Sequence, residues 1–238
     1  MGKVYAVGVG PGSSKYVTEI VKDIVQNCDI VIGYKYTLKT IENLIEGKEI
    51  YEITMNDQEE SYQKILPVLG DRTLVIPFTG DVNFSESEVV DRLIEVFGEI
   101  EIIPGISSIQ VAAAKAQVPL DKSKVITMHV TTPIEDKKLE LQKALIDGFS
   151  VILVPRPWPK QPDKHFMPSE IAAYLREHNF DTDKLKVHVY EVITTENETS
   201  FVGTVRDLEG KEFSDLSVMV FNQANLDSYM NYRWQWEN

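Results

Sequence analysis

The chain has 238 residues, of which 43% are hydrophobic and 26% charged, so it can bury a sizeable core, and its single cysteine excludes an internal disulfide. Its formal net charge of −13 argues against nucleic acid or an anionic lipid surface as a partner. No run approaches the roughly 18 consecutive apolar residues of a membrane span and the first residues lack a signal-peptide layout, so we expect a cytoplasmic protein with no membrane partner.

In the first half of the chain, short apolar runs alternate with longer amphipathic stretches. The apolar runs predict strands at residues 4–9, 30–32, 50–53, 74–78 and 100–103. Apolar residues at helical spacing predict helices at residues 17–28, 38–45, 62–69, 89–97 and 106–118. This βαβα alternation predicts a largely parallel sheet that is covered on both faces.

The pattern changes at Pro119, which disfavours helix at Val118. Later runs predict strands at residues 125–130, 151–154, 187–193, 200–205 and 216–221, with helices at 139–146 and around 171–176. We therefore predict two α/β domains, each a mainly parallel or mixed sheet flanked by helices. They span residues 1–120 and 121–224, with an aromatic tail at 225–238 and the active site in the shared cleft.

The first predicted strand ends in Gly8-Val9-Gly10-Pro11-Gly12. This is not a proper dinucleotide fingerprint, because the third glycine comes one residue early and Pro11 has no N–H to donate to a phosphate. Two alternatives stay open. The stretch is either a bare turn or a backbone-lined ligand edge at the end of a parallel strand.

Two further loops follow predicted strands and would leave the sheet at the same edge. In the first, Gly80 permits close approach of a ligand and Asp81 can accept hydrogen bonds, although an Asx turn is the plain alternative. In the second, Ser107 or Ser108 is suited to cap the helix that follows. The remaining hydroxyl is then available to a ligand.

A proline-rich stretch at residues 155–165 is basic within an acidic chain. It is either a solvated excursion or a cationic arm, in which Arg156 can grip a carboxylate in bidentate fashion. Elsewhere the chain has no catalytic triad motif and no metal-site spacing among its histidines, so we expect no metal.

Taken together and in this order, Gly8-Val9-Gly10-Pro11-Gly12, Gly80-Asp81-Val82 and Pro104-Gly105-Ile106-Ser107-Ser108 resemble the tetrapyrrole (corrin/porphyrin) methylases. The resemblance covers nearly the whole chain. It implies a two-domain α/β methyltransferase that uses S-adenosylmethionine and releases S-adenosylhomocysteine. The further likeness is to members that methylate carbon 5 of a cobalt-precorrin in cobalamin biosynthesis.

The resemblance also implies roles for individual residues. It implies that the cofactor is bound by Pro11, Gly80, Asp81, Phe84, Ser107, Ser108, Val154, Val192 and Leu216. We expect the carboxylate-rich substrate near Gly12, Ser13, Lys35, Arg156 and Lys160. Candidate proton acceptors are Asp81, Ser13 and Tyr34.

The chain departs from the family pattern at three places. Ser13 stands where many members have an acid, Thr194 stands where a glycine is usual, and the loop around Arg156 is longer and more basic. These departures leave two alternatives open. One is a methylase of another corrin or siroheme precursor. The other is a non-catalytic cofactor-binding subunit that scaffolds a separate carbon-15 methylase/decarboxylase. In either case we expect a homodimer.

Overall fold

The computed structural model describes residues 2–84, 86–158 and 164–223. One compact unit ends at Ser108 and a second begins at Ile109. The predicted domain boundary near residue 120 stays a prediction, and the predicted tail at 225–238 lies outside the described residues.

The first unit is built on a five-stranded sheet of order β3-β2-β4-β1-β5 in which every neighbouring pair is parallel. Its strands are β1 (Val4–Gly8), β2 (Ile30–Tyr34), β3 (Glu49–Ile53), β4 (Leu74–Phe78) and β5 (Glu101–Ile103). Its helices are α1 (Glu19–Asn27), α2 (Lys35–Thr40), α3 (Gln58–Leu69) and α4 (Ser87–Phe97). The predicted parallel sheet is confirmed.

Two hydrophobic cores cover the two faces of this sheet. Along β4, Leu74 and Ile76 belong to one core, whereas Val75 between them belongs to the other. Successive side chains of a strand point to opposite faces, so this division shows that both faces are buried. β4 is consequently apolar at every position, as a central parallel strand requires.

The second unit contains a mixed sheet of order β11-β10-β12-β7-β6. Its strands are β6 (Ser123–Thr127), β7 (Ser150–Val154), β10 (Lys186–Glu191), β11 (Thr199–Thr204) and β12 (Ser217–Asn222). Only β6 and β7 pair in parallel, and the other neighbours are antiparallel. The flanking helices are α6 (Glu135–Ile146) and α7 (Pro168–Glu177), and α5 (Ser108–Ala116) begins at the last residue of the first unit. The predicted mixed sheet is confirmed.

The structure differs from the sequence prediction at a few boundaries. The helix expected at 38–45 is the shorter α2, and a separate 3-10 turn follows at Glu42–Leu44. The proline-rich stretch contains a small hairpin of β8 (Arg156–Pro157) and β9 (His165–Phe166), which apolar periodicity cannot reveal in so short a segment. Within residues 2–84, 86–158 and 164–223, no helix is long and apolar enough to cross a membrane.

Candidate functional site

Three glycine loops meet at one edge of the first sheet. Because β4, β1 and β5 are parallel neighbours, the loops after their carboxyl ends leave at the same edge. The Gly80 N–H donates to the Gly10 carbonyl at 2.8 Å, and the Gly10 N–H donates to the Gly80 carbonyl at 3.2 Å. This pair of hydrogen bonds joins the first two loops directly.

The glycines at this edge are required by close packing of backbone against backbone. A Cβ placed on Gly8 would lie 2.5 Å from the Gly80 carbonyl oxygen and 2.6 Å from the Gly105 nitrogen. A Cβ on Gly105 would strike the carbonyl oxygens of Gly8 and Gly80. We call residues 8–12, 79–84 and 104–108 the glycine wall. It contains five glycines, and its three loops are closely packed at Gly8 and Gly105.

Gly80 and Asp81 form the turn at the centre of the glycine wall. Gly80 has a φ of +73°, a left-handed conformation that glycine adopts without strain. A carboxylate oxygen of Asp81 accepts hydrogen bonds from the Asn83 backbone N–H at 3.0 Å and from its side-chain amide at 3.1 Å. The Phe84 N–H donates to the Asp81 carbonyl at 3.0 Å. The Asx turn that the sequence left open is therefore present, and it presents Asp81 half-buried.

The two serines lie beside this turn. Ser107 is buried at 4% exposure, and its Cα would lie 3.6 Å from a Cβ placed on Gly80. Ser108 begins α5. The sequence prediction that these loops come together is confirmed, whereas their cofactor contacts stay predictions.

The opening loop continues into a short 3-10 turn at Ser14–Tyr16. Pro11 is buried, and the Ser13 hydroxyl accepts the Lys15 N–H at 3.3 Å as the cap of that turn. The Thr40 hydroxyl donates to the Gly12 carbonyl at 3.2 Å and so ties the loop to α2. Lys35 is exposed at the start of α2, which follows β2 at the same sheet edge.

A polar cluster that the sequence did not reveal as a group lies further along this edge. The Tyr34 hydroxyl donates to the Gln58 side-chain oxygen at 2.5 Å, and Gln58 is buried. Burial, followed by the Glu86 carboxylate, raises the pKa of Tyr34 to about 12, and burial raises the pKa of Glu86 to about 7. Tyr62 is fully buried, and its hydroxyl has no hydrogen-bond partner among the described residues.

Sequence reasoning missed three members of this cluster because each has a plain local explanation. Tyr62 fits the apolar face of α3, Gln58 is that helix's first residue and Glu86 precedes α4. Only the parallel order β3-β2-β4 brings them together with Tyr34. One signal in the sequence could have indicated the cluster. Each residue lies in or next to a connection between a predicted strand and a predicted helix, and such connections meet at one edge of a parallel sheet.

In the second unit, three predicted cofactor residues share one sheet edge. Val154 ends β7, Val192 follows β10 and Leu216 precedes β12, and the antiparallel pairing of β12 with both strands puts these ends together. The Val192 N–H donates to the Leu216 carbonyl at 2.9 Å. Val192 has a φ of +41°, which is a genuine outlier for a β-branched residue.

Thr194, where a glycine is usual in the family, also has a positive φ, of +70°. Its N–H donates to a Glu198 carboxylate oxygen at 2.6 Å, and Glu198 forms an ion pair with Lys115 at 2.7 Å. These contacts hold a backbone conformation that threonine does not favour by itself. Thr194 therefore adopts the left-handed conformation that a glycine would adopt here, at the cost of backbone strain.

Arg156 lies inside the second unit at 2% exposure. Its guanidinium donates to the carbonyls of Thr131 at 3.0 Å and Thr132 at 2.9 Å, and it lies 5.9 Å from the Trp158 ring. The sequence left a solvated excursion and a cationic arm open for this stretch, and the structure shows that Arg156 itself is buried and hydrogen-bonded to a neighbouring loop. A role for Arg156 in substrate binding stays a prediction, and Lys160 lies outside the described residues.

Residues 3–209 match the model of the tetrapyrrole (corrin/porphyrin) methylases. The chain is 31% identical over 222 residues, 92% of its length, to a probable cobalt-precorrin-7 C(5)-methyltransferase of Methanocaldococcus jannaschii, of which it covers 97%. Among solved structures, the methyltransferase CobJ has a TM-score of 0.73 at 20% identity, covering 94% of this chain and 95% of CobJ. The precorrin-6Y methylase of Archaeoglobus fulgidus has a TM-score of 0.66 at 18% identity, and the match covers 94% of this chain and 100% of that protein. The two structural likenesses support the fold.

Proposed function

Because the chain belongs to the tetrapyrrole (corrin/porphyrin) methylases, we propose that it transfers a methyl group from S-adenosylmethionine to carbon 5 of a cobalt-precorrin in cobalamin biosynthesis. The proposal is supported by similarity over almost the full length of a relative that carries this activity in its name. The structural observation that carries it is the glycine wall, which the Gly10–Gly80 hydrogen bonds hold together.

The residues of the glycine wall fit S-adenosylmethionine. The donor carries a sulfonium cation and no phosphate, so it needs no cationic cradle. Residues 8–12, 79–84 and 104–108 contain no lysine or arginine, and their one charged side chain is the acidic Asp81. Backbone groups and small hydroxyls of this kind can bind a polar ligand, and no cationic side chain is present to repel its positive charge.

In this proposal the cofactor is held by the residues that the family resemblance implies. They are Pro11, Gly80, Asp81, Phe84, Ser107, Ser108, Val154, Val192 and Leu216. When bound, the cofactor supplies a methyl group that is already activated as a sulfonium. The protein then contributes mainly orientation, by holding the ring carbon at near-attack distance from the methyl group, so a catalytic triad is not required.

The tetrapyrrole substrate is expected near Gly12, Ser13 and Lys35. Lys35 is exposed at the sheet edge and offers its ammonium to a substrate carboxylate. The Thr40 hydroxyl shares its proton between the Tyr36 carbonyl at 3.1 Å and the Gly12 carbonyl at 3.2 Å, which keeps the loop beside α2 at the expected edge of the macrocycle. Because the whole chain is strongly acidic, attraction of a carboxylate-rich substrate depends on such local cations.

The proposal is tested by incubating the purified chain with methyl-labelled S-adenosylmethionine and cobalt-precorrin-7. We expect one labelled methyl group on carbon 5, located by NMR of the product. Transfer only to a different corrin or siroheme precursor in a parallel panel would replace the substrate and keep the reaction. Cofactor binding without transfer to any precursor would contradict the proposal and favour a scaffold for a carbon-15 methylase/decarboxylase. Light scattering of the same sample tests the expected homodimer.

A further inference from the structure

A polar cluster at the carboxyl edge of the first sheet has no role in holding the cofactor under the proposed function. Tyr34 ends β2, Gln58 begins α3 after β3, and Glu86 lies between the loop that follows β4 and helix α4. In the sheet order β3-β2-β4-β1-β5 these positions adjoin the edge at which Gly80 and Asp81 leave β4. The cluster therefore flanks the glycine wall.

Burial withdraws the Glu86 carboxylate from water and raises its pKa. Glu86 and Tyr34 are half-buried, Gln58 is buried at 4% exposure, and Tyr62 is fully buried at 0%. Tyr62 packs edge-to-face on Phe97 at 6.0 Å between ring centroids. A carboxylate in such a place loses hydration, which makes it a stronger base than an exposed one.

The charged and titratable groups that face this cluster come from every element around it. Tyr34 lies on β2 and Arg92 lies on α4. Asp57 is the N-cap residue of α3, and Tyr62 lies within that helix. Burial is the main cause that raises the pKa of both tyrosines, and the charge of Glu86 raises it further whereas that of Arg92 lowers it. No described residue donates a hydrogen bond to the Glu86 carboxylate, and the Tyr62 hydroxyl has no described partner.

Fold stability does not explain this arrangement. A half-buried acid without a hydrogen-bond donor and a buried hydroxyl without a partner both cost folding free energy. Groups of this kind at a sheet edge where ligands bind are candidates for a chemical role. Asp81 is less suited to that role, because its carboxylate already accepts two hydrogen bonds from Asn83.

We propose that Glu86 accepts the proton that the substrate releases on methylation, and that Tyr34, which donates a hydrogen bond to Gln58, tunes the electrostatic environment of that carboxylate. This inference rests on the proposed function. The electron pair of the ring carbon forms the new C–CH₃ bond, and the pair of the broken S–CH₃ bond returns to sulfur, which becomes a neutral thioether. The positive charge passes to the macrocycle, which then loses one proton to the Glu86 carboxylate. Glu86 returns that proton to water after the product leaves.

The test compares the full chain with Glu86→Gln and with Glu95→Gln, a matched control at an exposed position of α4. Steady-state methylation of cobalt-precorrin-7 is measured from pH 5.5 to 9. We expect E86Q to lower kcat by about 10²- to 10⁴-fold, the usual range for a lost general base, with KM for both ligands changed by less than about twofold. The wild type should lose kcat below about pH 7, where Glu86 becomes protonated, and E86Q should lack this acid limb.

Two further variants keep the result interpretable. Glu86→Asp retains the carboxylate and should recover part of kcat together with the acid limb, which a purely structural role would not predict. Tyr34→Phe removes the bond to Gln58 and should shift the midpoint of the acid limb while lowering kcat less than E86Q does. Thermal melting establishes that each variant is folded.

Different outcomes overturn the two proposals separately. If the wild type methylates cobalt-precorrin-7 but E86Q keeps kcat within about threefold of it, or keeps the acid limb, the role of Glu86 is excluded and the proposed function stands. If the folded wild type transfers no methyl group to any precursor, the proposed function fails and the role of Glu86 falls with it.

Discussion

The candidate edges of the two units are built by different means. In the first unit, Gly8 and Gly105 let backbones pack directly together, because a Cβ at either position would strike the Gly80 carbonyl oxygen. In the second unit, Val192 and Thr194 have side chains and nonetheless adopt positive φ values of +41° and +70°. The edge of the first unit avoids backbone strain because glycine occupies its left-handed positions, whereas tertiary contacts hold the strained backbone at the edge of the second unit.

The two edges differ in how visible they are in a single sequence. A glycine at a fixed position after a strand leaves a visible pattern, because no other residue fits the space. A valine or threonine held in an unusual conformation leaves none, because the contacts that hold it come from elsewhere, as Glu198 and Lys115 do here. The first edge was therefore recognised from its residues, and the second only through the family resemblance.

The largest expected effect comes from filling the glycine wall. Gly8→Ala would put a Cβ 2.5 Å from the Gly80 carbonyl oxygen, so three backbones would have to move apart. We expect the free energy of unfolding in urea to fall by about 3 kcal/mol or more. Gly47→Ala is the control, because Gly47 has a positive φ of +77° but open space around it, and it should cost about 1–2 kcal/mol from backbone strain alone. Equal losses in the two variants would show that the close packing does not matter.

An intermediate effect is expected at Glu86 and depends on pH. Burial raises its folded-state pKa from 4.5 to about 7, so the folded state binds a proton more tightly than the unfolded state. Stability is therefore lost as pH rises from about 4.5 through 7, which amounts to about 1–3 kcal/mol once partial exposure is allowed for. We expect E86Q to gain stability relative to the wild type between pH 5 and pH 8 in urea titrations. A stability difference that does not change with pH would contradict the shift.

The smallest effect should appear at the strained edge. Thr194→Gly relieves a left-handed conformation that costs about 1–2 kcal/mol but adds glycine's unfolded-state entropy of about 0.5–1 kcal/mol. The expected net gain is thus about 0.5–1 kcal/mol, measured as a higher midpoint of thermal unfolding. Glu196→Gly, at an exposed position of the same loop that has no positive φ, should instead lower the midpoint. Loss of stability in both variants would mean that Thr194 makes contacts worth more than its strain.

Much of the fold followed from periodicity. The strand predicted at residues 74–78 is β4, because a central parallel strand is continuously apolar and has no competing helical pattern. Periodicity did not separate α2 from the 3-10 turn at Glu42–Leu44, since Leu38 of the helix and Leu44 of the turn pack into the same hydrophobic core.

Less of the candidate site followed from the sequence. The meeting of Gly10 with Gly80 was predictable, because both follow parallel strands. The burial of Arg156 was not, because its acceptors are backbone carbonyls of Thr131 and Thr132, and carbonyls leave no mark on the sequence. Glu86 was missed for a similar reason, since its burial depends on tertiary packing that the local sequence does not show.

The Gly10–Gly80 hydrogen bonds also bear on how the first unit folds and unfolds. These two hydrogen bonds join loops that are far apart in the chain and meet only when β1 and β4 are already paired. Such a contact cannot form from a local hairpin and has no reason to fray while the sheet stays intact. The glycine wall should therefore form and unfold together with the sheet, as part of one cooperative unit. A mutation deep in the sheet should then disrupt the glycine wall only by raising the fraction of molecules that are unfolded.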